Sequence, residues 1–420
     1  MGILHQLWRT MSTLLIPVIH ERLLQLLIAF LQIKNIYGRK RKEIYKEAGI
    51  IDLVDRLLKK RPIVFYCSSD NYVLREDQID GCGGFEHIGH SHGSTKLSIK
   101  EYMSYDEIKL AALVGVSSKS HFINDGSRCN RGNPGIPGTF QPSGVIIGLV
   151  GARFEKPGYM EWQDCLVTNE QNKAEHGYGP VIPEKYLLVR EWGKLWGENY
   201  LPTWEEVQDS SKEGFTQITS KILLNNKIYK SRIQMSAEIL LAEARTRAEE
   251  ASMKAYIHIV GLGLGVWQVD SAQSQLFVEA WGDAIIAQKD TSSIGHIDFS
   301  YIHVDQCHSV SNGETFPNTD ITIHFSKRSL HDPVPEGNLL IVSYAWDGNS
   351  MPGNEYWRGE LSSSGDPSAA CSSGVAELHN ALINTHVTAS NLHIATASGV
   401  THVGEYARNF LQKHSEDAAG

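Results

Sequence analysis

The sequence predicts an α/β fold, a sheet with helices on its faces, from three observations. Strand-like runs alternate with helical stretches across the C-terminal half of the chain. Several of those runs are continuous and apolar, the mark of buried strands. Loops rich in glycine or carboxylates follow two of them, where open parallel sheets bind their ligands.

The N-terminal stretch, residues 13 to 60, reads as helical, with apolar runs at Leu14–Ile19 and Leu23–Ile33 separated by His20, Glu21 and Arg22. Neither run approaches the roughly 20 apolar residues of a membrane span. Basic patches at Arg39–Lys42 and Lys59–Arg61 mark solvated helix faces and boundaries. Ile63–Tyr66 is a short strand, and Asp80–Ser94 a loop rich in Gly and His. Tyr105–Val116 has helical spacing, and GVIIGLV (Gly144–Val150) is a buried strand. Tyr186–Val189 and Glu191–Trp196 suggest a further strand or helix end. A long amphipathic helix spans Ser231–Met253, followed by strand Ala255–Val260 and a helix over Gln273–Gln288. Ile297–Ile302, Ile321–Phe325 and Leu339–Tyr344 are strands; Pro367–Ala381 is a helix, Leu392–Thr396 a last strand and Glu405–His414 a closing helix.

Composition narrows the function. The chain has 420 residues, 41% of them hydrophobic, enough for a large core. A formal net charge of −9 argues against a nucleic-acid binder, which shows a basic face. It does not argue against a nucleotide, because backbone N–H groups hold phosphates without net positive charge. Six cysteines are spread thinly without a CxxC, so an intracellular, reducing, cytoplasmic setting is expected.

Three loops carry candidate chemistry. GLGLGVW (Gly261–Trp267) has the spacing GxGxG, and Gln268 stands where a dinucleotide fingerprint needs its last glycine. That spacing disfavours an NAD(P)-dependent oxidoreductase. Its glycines still let backbone N–H groups approach a pyrophosphate. In YAWDGNSMPGNEYW (Tyr344–Trp357), Asp347 and Glu355 sit eight positions apart between aromatic residues. Carboxyl groups in a partly apolar wall acquire raised pKa values suited to acid or base work, and cleavage of a glycosidic bond uses paired carboxylates. The same pattern also fits simple Asx turns and a solvated glutamate. In SSSGDPSAACSSG, Asp366 precedes Pro367, a strong helix start with Asp at the N-cap and Pro at the first helical position.

Two further segments are polar. HFINDGSRCNRGNPG (His121–Gly135) supplies hydrogen-bonding side chains for sugar hydroxyls, and GARFEKPGYMEWQD follows the GVIIGLV strand, with Arg153 available to a phosphate and Phe154 or Trp162 to a base. Cys82, His87, His90 and His92 contain an HxxHxH pattern able to ligate zinc, without the paired spacing of structural zinc fingers; the expectation is that no metal is bound. Cys307 and His308 are adjacent, which does not by itself make a nucleophilic pair.

FINDGSRCNRG, GLVGARFEKPGYMEWQD, VGLGLGVW, YAWDGNSMPGNEYW and SGDPSAACSS, in this order, resemble the MavL-like class of macrodomains from Ile63 to Phe410. The resemblance implies a three-layer α/β/α sandwich with a mixed, largely parallel sheet over 63–420 and an N-terminal helical extension over 1–62. It implies an (ADP-ribosyl)hydrolase that binds ADP-ribose and removes single ADP-ribosyl groups from arginine side chains, with no cofactor. By matching motif, it puts Asp347 and Glu355 at the scissile ribose, with Asp366 added by the SGDP loop. Gly261, Leu262, Gly263, Leu264, Gly265 and Trp267 would hold the diphosphate and distal ribose. Phe122, Asn124, Gly126 and Asn130, with the Gly151–Ala152–Arg153 turn, would face the adenosine side. Trp346, Gly348 and Asn349 complete the expected contacts. Glu355 stands where some members carry aspartate. The alternatives are a non-catalytic ADP-ribose reader on the same fold and, less favoured, a metal-dependent hydrolase built on the histidine cluster.

Overall fold

The computed structural model describes residues 15–38, 42–66, 68–76, 78–90, 93–209 and 212–417. Its centre is a nine-stranded sheet made of β1 (Ile16–His20), β2 (Val114–His121), β3 (Ser143–Leu149), β4 (Lys254–Ile259), β5 (Ile294–Ser300), β6 (Thr322–Ser326), β7 (Asn338–Ala345), β8 (His393–Thr396) and β9 (Gly399–His402). The spatial order is β6-β5-β4-β7-β3-β2-β1-β8-β9. The five strands from β6 to β3 run parallel. β2 is antiparallel to both β3 and β1, β8 is parallel to β1, and β9 returns antiparallel. The sheet is therefore mixed, with a parallel block at one side.

The helices that matter here are α1 (Leu23–Tyr37), α2 (Ile50–Lys59), α3 (Tyr105–Ala111), α4 (Asn226–Ala251), α5 (Ala272–Ala287), α6 (Gly365–Ser372), α7 (Val375–Leu378) and α8 (Val403–Asp417). They cover both faces of the sheet, and β2 shows how. Ser117 and Ser118 are consecutive, so their side chains leave opposite faces. Ser117 Oγ donates to Glu243 Oε1 on α4 at 2.7 Å. Ser118 Oγ meets Nε2 of His379, just past α7, at 2.8 Å. α4 starts at Asn225, whose Oδ1 accepts from Ile228 N at 3.2 Å, an N-cap. It ends at Ser252 in the left-handed region. The core runs unbroken from β1 through the parallel strands to Ile394 of β8.

Several elements differ from the expectation. The stretch 13–60 is not wholly helical: Ile16–His20 is a fully buried strand in the interior of the sheet, between β2 and β8. Helix follows only from Leu23. An apolar run of five or six residues does not distinguish a buried strand from a helix by periodicity, and here β-branched Ile16, Val18 and Ile19 go to the sheet. The N-terminal segment is thus built into the main sheet rather than appended as a helical extension. The helix expected to reach Val116 stops at Ala111, and Val114 opens β2. The helix expected over Pro367–Ala381 breaks at Ser373, which is fully extended. Tyr186–Trp196 resolves into one helix, Leu187–Leu195.

Candidate functional site

β4, β7 and β3 are adjacent and parallel, so the loops after Ile259, Ala345 and Leu149 leave from one edge of the sheet. The glycine loop and the GARF turn touch directly. A Cβ added to Gly151 would lie 2.4 Å from Gly263 N and from Leu262 C, so only glycine lets these backbones approach. Gly263 is also left-handed, at φ +80°, where side chains are disfavoured. Leu262 and Trp267 are buried, whereas Gly265 and Val266 face solvent. Trp267 Nε1 donates to Glu155 Oε2 at 3.3 Å.

The acidic loop is held by its own side chains. Asp366, buried at the start of α6, accepts Gly353 N at 3.0 Å and Asn354 N at 2.8 Å. Its carboxylate thus ties α6 to the loop, and the N-cap position belongs to Ser364 rather than Asp366. Asn354 Nδ2 donates to Asp347 Oδ2 at 2.6 Å. The same amide exchanges two bonds with the backbone of Phe65, at 2.9 and 3.2 Å. Ser364 Oγ donates to Glu355 Oε1 at 2.9 Å. The chain before Phe65 supports the loop from below. Met351 N donates to Pro62 O at 2.9 Å, and the buried Arg61 guanidinium lies 4.5 Å over the Trp346 ring.

Three carboxyl groups in one place disfavour their own ionisation. Burial first, then the charges of Glu355 and Asp366, hold Asp347 well above the usual carboxylate range, against the opposing pull of Arg153. Burial likewise raises Glu355, against the bonds from its own backbone and Ser364, with Glu360 adding to the rise. Asp366 is pushed up to about 8 by burial and Glu355, despite its two amide donors. Raised carboxyl groups grouped in this way are suited to acid or base work.

The other expected residues separate into two groups. Gly261, Gly263, Leu264 and Gly265 stand in a loop at this edge and are partly or fully exposed, whereas Gly348 is buried against Val150 and Ala112. Arg153, offered by the sequence to a phosphate, is instead fully buried. Its guanidinium donates to Glu161 at 2.7 and 3.1 Å and to Asn349 Oδ1 at 2.6 Å. Asn349 is likewise interior, as are Trp346 and Ala152. Phe122 stacks on His331 with ring centroids 3.6 Å apart. Asn124 closes its own turn, accepting Gly126 N at 2.9 Å and donating to Asn133 O at 2.9 Å. Asn130 donates to Asp125. These side chains serve the fold of their loops: Arg153, Asn349, Phe122 and Asn124 all engage protein neighbours. Their loop still approaches the site. It leaves β2 at the opposite sheet edge, where His121 pairs with Ser143, and returns along α6, where Ser368 Oγ donates to Gly126 O at 2.7 Å. Arg128 then comes near enough to Glu355 to oppose its rise.

Asn354, Glu155 and Tyr66 were not anticipated. Asn354 lies inside the quoted acidic loop, but its role depends on Phe65, distant in sequence. His92 lies outside the described residues; Cys82 is exposed and bonds Ser69 O. Among the described residues no three His, Cys, Asp or Glu side chains converge as a metal site. Cys307 is buried and its thiol is pushed up to about 12 by burial, unlike a nucleophile. A groove of about 1010 Å³ lies between α1 and the segment around Trp162, Tyr178 and Trp192. Of the residues the sequence singled out, Trp162 and His90 line it, whereas Asp347, Glu355, Asp366 and the glycine loop do not.

With this geometry in place, comparison with known proteins is decisive. Residues 6–409 match the family described as ADP-ribosylhydrolase MavL-like. The chain belongs to the MavL-like ADP-ribosylhydrolase family. The match begins well before Ile63, so the N-terminal stretch lies within the resemblance rather than outside it, in keeping with β1 in the sheet. Two relatives come from Drosophila melanogaster. The ADP-ribosylarginine hydrolase CG3568 is 39% identical over 411 residues, covering 94% of this chain and 81% of the relative. The ADP-ribosylarginine hydrolase CG2909 is 38% identical over 419 residues, covering 95% and 83%.

Proposed function

We infer that this protein is an ADP-ribosylarginine hydrolase: it binds the ADP-ribosyl group on a modified protein and cleaves the N-glycosidic bond to the arginine guanidinium. The observation that carries the reading is the grouping of Asp347, Glu355 and Asp366, linked through Asn354, Gly353 and Ser364, at the sheet edge where the glycine loop also emerges. The two hydrolases similar to it support arginine as the linkage. The mixed sheet with helices on both faces supports a macrodomain-like sandwich.

The chemistry follows from charge. The guanidinium is cationic at neutral pH and is drawn to the carboxylate cluster. Departure of the guanidine leaves positive charge on the ribose, which a carboxylate stabilises. The electron pair of the broken C–N bond stays on the guanidine nitrogen, which takes up a proton. Water adds to the anomeric carbon and gives its proton to a carboxylate acting as base. In this reading Asp347 and Glu355 orient arginine and water, and Asp366 organises the loop around them. The glycine loop and the Gly151 turn cradle the diphosphate by backbone N–H groups.

A release assay on peptides mono-ADP-ribosylated at arginine, serine or glutamate tests activity and linkage together. Release from the arginine peptide alone is expected. Asp347→Ala should lower turnover by about 100-fold or more while the Kd for ADP-ribose changes far less. Parent-like release by that variant removes the role given to Asp347.

A further inference from the structure

Tyr66 ends a short strand, Val64–Tyr66, that pairs with Asn71–Val73 outside the main sheet. Phe65 before it is locked to Asn354 through both its N–H and its carbonyl, and its ring is packed in the core against Phe85. Consecutive strand residues point to opposite sides, so the Tyr66 side chain is turned away from that core. The Phe65–Asn354 bonds set it beside the acidic loop, whose Glu360 and Glu355 charges add to burial in raising its phenol while Arg358 opposes them. Its hydroxyl is buried and has no hydrogen-bond partner among the described residues. Oε2 of Glu355 is in the same condition, buried and without a partner. The other carboxylate oxygen of Glu355 is taken by Ser364. An orphaned phenol and an orphaned carboxylate oxygen therefore belong to residues that directly follow the bonded pair Phe65 and Asn354.

Buried polar atoms are nearly always bonded, and those that are not commonly mark ligand contacts. A guanidinium is a planar fork of N–H donors with no acceptor. What it needs are oxygen acceptors in a negative field, and Tyr66 and Glu355 supply two. We propose that Tyr66 is a further substrate-contacting residue of the hydrolase, its phenol oxygen and Glu355 Oε2 receiving N–H groups of the modified arginine. The inference rests on the functional reading above and deepens it. The neighbouring carboxylates and burial keep the phenol protonated, up to about 12, so Tyr66 adds an acceptor without adding another buried charge. Serine- and glutamate-linked ADP-ribose carry no N–H at that place and leave both oxygens unmet, which makes Tyr66 part of linkage choice.

Tyr66→Phe keeps the ring and removes only the oxygen. We expect KM for the arginine-linked peptide to rise about tenfold, the loss of one bond to a charged group. Inhibition by agmatine, a free guanidinium compound, should weaken by a similar factor. The Kd for ADP-ribose, which lacks the guanidinium, should stay within about twofold of the parent. A purely structural role would move the ADP-ribose Kd and the melting temperature as well. Unchanged KM and agmatine inhibition overturn the inference, and so does an equal weakening of ADP-ribose. The two readings fail separately. A parent that releases no ADP-ribose from the arginine peptide overturns the hydrolase reading and this inference with it, whereas a cleaving parent with an unaltered Tyr66→Phe variant overturns only the latter.

Discussion

Asn354 joins two segments that are far apart in sequence, with its amide shared between the Phe65 backbone and Asp347 Oδ2. A single uncharged side chain thereby fixes both the orientation of the carboxylate and its distance from Tyr66. Asn354→Ala should lower kcat on an arginine-linked peptide by about tenfold to 100-fold, with ADP-ribose affinity little changed. A larger loss of ADP-ribose affinity than of kcat would show that the loop had collapsed instead. At this scale the sequence singled out Asp347 and Glu355 by their aromatic, glycine-rich loop and Asp366 only as a helix start joined to them by the family resemblance; the bonds that group them were not legible. The interior fates of Arg153 and Asn349 were not legible either, since Glu161, though only eight residues on in the same segment, does not show in sequence that it turns into the core to pair with Arg153 at 2.7 Å. A cation in a motif looks the same whether its counter-ion is a phosphate or a buried glutamate.

Two loops meet without side chains where Gly151 lies against Gly263, and this contact sets how closely the two backbones can frame a ligand. Gly151→Ala pushes a methyl group into backbone atoms that cannot rotate aside. We expect a stability loss of about 1–3 kcal/mol, seen as a lower urea midpoint, together with weaker ADP-ribose binding by calorimetry. Parent-like values for both would mean that the loops part without cost. Elements were legible where length or patterning was strong: the long helix α4, the strands of the parallel block and the turn glycines. They were not legible where a short apolar run had two possible fates. Ile16–His20 became a strand because β2 and β8 offer it partners on both sides, a fact held by residues about a hundred and several hundred positions away.

The whole molecule stores charge repulsion in the acidic cluster, and its pH behaviour follows. A carboxyl group whose pKa is raised on folding contributes stability that is complete below its unfolded value, about 4, and is lost as pH rises through the folded value. For Asp366 that loss extends to about pH 8, and Asp347 shifts in the same direction. Thermal melts of the parent and Asp347→Asn should therefore diverge as pH rises above the unfolded carboxyl value of about 4, the variant gaining on the parent; parallel curves would deny a raised carboxyl at Asp347. In kinetics, the ascending limb of kcat/KM reports the free enzyme, and that of kcat the complex. The bound guanidinium favours ionised carboxylates, so the kcat limb should lie at lower pH. Coincident limbs would place the cation away from the cluster. Removing residues 15–22 should abolish the cooperative unfolding transition, because β1 is interior to the sheet; a folded, melting product would refute its importance. That position has a consequence for biosynthesis. Val18 aligns with His393, so the first strand leaves the ribosome long before the neighbour that shields its outer flank. Until the stretch around His393 has been made, the flank of β1 that faces β8 presents open N–H and C=O groups. Expression of this chain is thus exposed to aggregation at β1, and holding chaperones or a lower growth temperature should raise the soluble yield.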